Sequence, residues 1–193
     1  MAPSLKKNTF YSAVTNVSDL LQFVLQIIAA NKLSAAGFGI FNNAMALSMT
    51  FMAFSDLGLN YLAIRNLARD RASGPRLLAN IMAWKAVLTA VSFGLLILTA
   101  RVFWSGDPEL QPVVLVMGLA MVFRFSSLTA RYFLQGLERF DAESLTTGVE
   151  QVLLVGVGTV LLLLNYGVMA LAWVFLATRI IGFAMSLGIL NRL

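Results

Sequence analysis

The chain has 193 residues, of which 59% are hydrophobic and 12% charged, with a mean hydropathy of +0.82. Soluble domains run at about 45–50% apolar and about 25% charged, so this composition excludes an ordinary soluble domain and points to membrane spans. The formal charge is +5, with no histidine and no cysteine, which removes disulfide frameworks, thiolate chemistry, the commonest metal ligand and the commonest general base.

Lys6 and Lys7 precede an apolar stretch in the manner of a secretory signal. A signal core, however, is uniformly apolar over about 7–15 residues. The stretch from 8 to 32 is longer and carries Asn16, Asp19, Gln22 and Gln26, so it reads as a retained helix. About 20 apolar residues are needed to cross the ~30 Å hydrocarbon core, and six segments meet that need: 8–32, 38–64, 78–104, 110–135, 142–164 and 168–190. The breaks between them are turn-like or charged: Leu33 to Gly37, Ala68 to Pro75, Ser105 to Pro108, Glu138 to Glu143, and Asn165-Tyr166-Gly167. The last is short and predicts a close helical hairpin. The predicted fold is an all-α membrane protein, a bundle of about six transmembrane helices forming a single lobe over 1–193.

Most of the basic residues cluster at the ends of the spans rather than along one solvated face, which argues against nucleic acid as a partner. One side collects Lys6, Lys7, Arg65, Arg69, Arg71, Arg76, Arg139 and Arg192, and the other only Lys32 and Arg101. The positive-inside rule then places both termini in the cytoplasm. Trp104 and Tyr166 fall at the outer ends of spans, where amphipathic aromatics prefer to sit.

Each span carries one ionisable residue well inside it: Asp19, Asp56, Lys85, Arg124, Glu150 and Arg179. A charge near the bilayer centre costs about 2.5–3.5 kcal/mol on insertion scales, so such residues face a bundle interior or an aqueous cavity. Other polar residues share their faces at 100° per residue. In the first span Asn8, Ser12, Asn16, Asp19, Gln22 and Gln26 fall within about 120°. Asn42, Asp56 and Asn60 align on the second, although Asn43, Ser48 and Ser55 do not; Lys85, Thr89, Ser92 and Thr99 align on the third. The fourth aligns Arg124, Ser127, Arg131, Gln135 and Glu138, the fifth Glu143, Thr147 and Glu150, and the sixth Arg179, Gly182 and Ser186. Interhelical hydrogen bonds account for isolated Ser and Thr. Six charges on six helices point instead to a hydrated interior. The glycines Gly148, Gly156, Gly158, Gly182 and Gly188 fit close helix approach, and the nine methionines fit gap-filling. No triad, phosphate loop or paired acidic motif is visible, so no enzyme and no cofactor is expected.

Leu33 to Phe41, ending Phe38-Gly39-Ile40-Phe41, is similar to the signature after the first helix in polysaccharide flippases of the Wzx type. Asp56-Leu57-Gly58-Leu59, then Arg65 and Ala68-Arg69, resembles that family's second-helix pattern. Phe133-Leu134-Gln135-Gly136-Leu137-Glu138-Arg139-Phe140 resembles the end of its fourth helix. The resemblance implies the amino-terminal lobe of a MATE-like exporter, one of two pseudo-symmetric lobes that work by alternating access. It implies a flippase of the bacterial inner membrane that moves undecaprenyl-diphosphate-linked oligosaccharide for O-antigen, capsule or exopolysaccharide assembly. The expected partners are the bilayer, the lipid-linked oligosaccharide, and a second transmembrane lobe in the same longer product or in another chain.

On this reading Lys85, Arg124, Arg131 and Arg179 supply positive charge to a central cavity, where Arg favours bidentate phosphate contact. Asn16, Gln22, Gln26 and Asn60 hydrogen-bond sugar hydroxyls. Asp19, Asp56 and Glu150 hold the basic residues apart or couple movement to protons or sodium. The alternatives are a cation-coupled multidrug antiporter of the same superfamily, with the acids as its primary site, and a non-transporting half-size partner in a glycan-assembly complex. A membrane glycosyltransferase is a weaker third, since no donor-sugar or metal motif is seen.

Overall fold

The structure, a computed structural model, describes residues 20–69, 74–104 and 106–192. Asn8, Ser12, Asn16 and Asp19, and with them Lys6, Lys7, Arg71 and Ser105, lie outside the described residues. Within them the chain is helical: α1 (Leu20–Lys32), then α2 (Ala35–Ala53), α3 (Leu59–Arg69), α4 (Gly74–Phe103), α5 (Leu110–Gly136), α6 (Phe140–Leu163) and α7 (Gly167–Leu190). The four helices α4 to α7 are long and apolar enough to cross a membrane, and the chain is a multi-pass membrane protein. Their bounds follow the predicted spans within a few residues.

The second span departs from expectation. The single helix predicted over 38–64 is two helices, so the described residues hold seven helices rather than six. The break falls at Phe54 to Gly58. Ser55 and Asp56 close tight turns onto the carbonyls of Met52 and Ala53. The chain then passes through left-handed backbone at Leu57 (φ 39°) and Gly58 (φ 80°). Gly58 bears that conformation without strain, whereas a left-handed leucine costs about 1–2 kcal/mol. Hydropathy cannot register this break, because Phe54, Leu57 and Leu59 keep the segment apolar.

The remaining turns have local causes. Ser34 accepts from the Gly37 N–H at 3.1 Å and caps α2. The Asp107 carboxylate accepts from the N–H groups of Glu109 and Leu110 at 3.1 and 3.0 Å, satisfying donors at the start of α5. The predicted close hairpin between α6 and α7 forms through left-handed Asn165 (φ 59°) and Gly167 (φ 80°).

Helix α5 is the hub, packing against α2, α3, α4, α6 and α7. The main core runs through Leu25, Phe41, Met117, Leu154, Leu171 and Phe175, with the Phe41 and Phe175 rings 5.7 Å apart. A smaller cluster of Ala63, Leu67, Ile81 and Phe133 closes the other end. Trp84, Val87, Val91, Leu95, Leu98 and Val102 of α4 are exposed. Their spacing of three and four residues makes one outward apolar stripe, the surface a lipid-facing helix needs.

Candidate functional site

Helix α5 carries Arg124, Leu128, Arg131 and Gln135 at intervals of three and four residues, which puts them on one face. The facing surface of α6 supplies Glu143, Thr147 and Glu150, and that of α7 supplies Arg179. The Glu150 carboxylate pairs with Arg131 through one oxygen and with Arg179 through the other. Glu150 and Arg179 are each only 1% exposed, and both lie near the middle of their helices. Several kcal/mol are needed to desolvate each such ion, so a lone one could not persist there; shared between two guanidinium forks, the carboxylate is compensated.

Helix α1 joins the same centre. The Gln22 side-chain oxygen accepts from Arg124 Nη1 at 3.2 Å and from Arg179 Nη2 at 3.3 Å. The Arg179 guanidinium also stands 5.9 Å from the centre of the Phe175 ring, within cation–π range. Beside these groups lies a cavity of about 210 Å³, lined by residues that include Arg124, Arg131, Gln135, Glu143, Gln151 and Arg179. The Nε atoms of Arg131 and Arg179 and the Oε1 of Gln151 are buried without a hydrogen-bond partner. Ser127 and Ser186 meet at 3.4 Å across α5 and α7.

A second cluster forms at the break between α2 and α3. Lys85, 3% exposed, reaches from α4 to Asp56 at 2.8 Å. Its ammonium also donates to Asn60 Oδ1 at 3.2 Å, to the Phe125 carbonyl at 3.4 Å and to the Thr129 hydroxyl. Thr129 in turn donates to Asn60 Oδ1 at 2.9 Å. Thr129 is two residues from Arg131, about 200° around α5, so the two clusters occupy opposite sides of that helix.

Residues 5–192 match the model of a family described as polysaccharide biosynthesis protein. The chain belongs to that family. The match spans nearly the whole chain and assigns the protein to polysaccharide biosynthesis. The chain matches no curated protein and no solved structure.

In this polysaccharide biosynthesis protein, the residues singled out in the sequence fall into separate groups. Gln22, Arg124, Arg131, Glu150 and Arg179 come together at the cavity, whereas Asp56, Asn60 and Lys85 form the cluster across α5. Gln26 stands apart, its amide 3.7 Å from the Met45 sulfur. Asn16 and Asp19 lie outside the described residues. Sequence reasoning did not single out Thr129, Gln151 or Phe175. Thr129 lies off the charged arc of α5, whereas Phe175 stands four residues before Arg179 on α7, a helical spacing that could have marked it. Among the described residues no group of three or more acidic, His or Cys side chains could hold a metal ion.

Proposed function

We propose that the protein is one lobe of a membrane transporter that flips a lipid-linked oligosaccharide through its diphosphate, the substrate being of the undecaprenyl-diphosphate class used for O-antigen, capsule or exopolysaccharide. The observation that carries this reading is the convergence of Arg124, Arg131 and Arg179 on one cavity. Guanidinium forks match phosphate oxygens bidentately and hold their charge at any physiological pH. Gln22 and Gln26 offer amides to sugar hydroxyls, and the polyprenyl chain stays in lipid. Lys85 and Asn60 act from the second cluster. Lys85 lies across α5 from this cavity and reaches substrate only through a rearrangement in which Asp56 releases it, which is the coupling role we assign to that acid.

A second transmembrane lobe completes the cavity, because alternating access requires two bodies to rock against each other. The lobe lies in a bacterial inner membrane with its arginine-rich end in the cytoplasm, and it carries out transport rather than catalysis. The test is glycan export in cells carrying Arg124→Ala or Arg131→Ala in the full-length transporter. Export should fall by at least about tenfold, the effect of ~1.4 kcal/mol, while membrane expression persists. Unchanged export in both variants overturns the proposal.

A further inference from the structure

The arginine cavity already contains an anion of its own. Glu150 gives one carboxylate oxygen to Arg131 and the other to Arg179, the arrangement two phosphate oxygens would adopt between the same forks. Neither guanidinium is thereby exhausted. Arg179 is 1% exposed, yet its Nε, like that of Arg131, is buried without an acceptor. The two arginine side chains line a space of about 210 Å³, room for roughly seven waters at ~30 Å³ each, and their Nε groups are shut off from it. That volume suits a diphosphate and is too small for an oligosaccharide. Gln151 also lines this space, and its buried Oε1 has no hydrogen-bond partner.

We infer that Glu150 is a selectivity element for the anion, an internal carboxylate that competes with substrate phosphate for Arg131 and Arg179. This rests on the diphosphate reading above. A ligand takes these arginines only if its interaction with them exceeds that of the resident carboxylate. A diphosphate brings more charge and more acceptor oxygens than a carboxylate, so it enters. A monoanionic phosphodiester, the headgroup chemistry of ordinary membrane phospholipids, does not. The lobe thereby ignores the lipids that surround it in great excess.

The experiment is calorimetric titration of the full-length protein in nanodiscs with pyrophosphate and with dimethyl phosphate, a monoanion. Wild type should bind pyrophosphate and discriminate against dimethyl phosphate by at least about tenfold. Glu150→Gln, which keeps the shape and removes the charge, should bind pyrophosphate about tenfold more tightly and lose most of that discrimination. Glu150→Asp keeps the charge on a shorter arm that cannot serve both arginines equally. It should shift both quantities in the same direction by less, and it serves if Glu150→Gln does not fold. A folded variant with wild-type affinity and wild-type discrimination overturns the inference and makes Glu150 a strut, leaving the diphosphate reading intact. If wild type and variants alike bind no pyrophosphate, the diphosphate reading falls and this inference falls with it.

Discussion

Gly182 on α7 leaves the space that the Glu150 side chain of α6 fills. A Cβ added at Gly182 would stand 2.7 Å from Glu150 Cδ and 3.1 Å from its Cγ, and its three nearest neighbours are all atoms of Glu150. A flexible glutamate could ordinarily swing away, but this one is tied to Arg131 and Arg179. We therefore expect Gly182→Ala to destabilise the lobe by about 1–3 kcal/mol, the usual cost of overpacking. The thermal midpoint in detergent reads this directly. The loss should shrink when Glu150→Ala is present as well, because the clash partner is gone; two strictly additive losses would show that the two positions do not interact.

The Lys85–Asp56 pair is buried unequally, with the lysine side chain 4% and the aspartate 25% exposed. Asp56→Asn strands a buried ammonium without a countercharge, and its cost should approach the ~3–5 kcal/mol of a broken buried pair. Lys85→Met leaves a carboxylate that is one-quarter exposed although its Oδ1 is buried, so its cost should be smaller, about 1–3 kcal/mol. Chemical unfolding of the two variants in one detergent gives the order. Lys85→Met proving the more damaging would contradict this account of the cluster.

The break at Leu57 and Gly58 makes a prediction of opposite signs at neighbouring positions. A Cβ on Gly58 meets nothing within 4 Å, so Gly58→Ala acts through its positive φ alone and should cost about 1–2 kcal/mol. Leu57 is 68% exposed and gives up little packing. Leu57→Gly should be neutral or stabilising by about 0.5 kcal/mol, strain relief offsetting the added chain entropy. A helix running unbroken through both positions would lose stability from Leu57→Gly and gain it from Gly58→Ala.

Sidedness can be read with few complications, since the chain has no native cysteine. A cysteine at Arg69 should resist a membrane-impermeant maleimide in intact spheroplasts and react after permeabilisation. One at Gly106 should react without permeabilisation. The reverse pattern would invert the orientation drawn from the arginine distribution.

Much was legible in the sequence because it depends on composition and on rotation about single helices. The membrane class, the bounds of α4 to α7, the hairpin before Gly167 and the shared face of Arg124 and Arg131 need only residue type and a period of 3.6. The break at Phe54 to Gly58 was not legible through hydropathy, since Phe54, Leu57 and Leu59 keep the window around Asp56 apolar and backbone conformation decides it. Nor could rotation say which charge meets which. Six ionisable residues on six segments allow many pairings, and the choice among them follows from the order in which helices pack around α5. That packing sends Lys85 to Asp56 and Thr129 on one side of the hub and Arg131 and Arg179 to Glu150 on the other. Neighbours in space are set by helix order and depth, which a single helix's pattern does not encode.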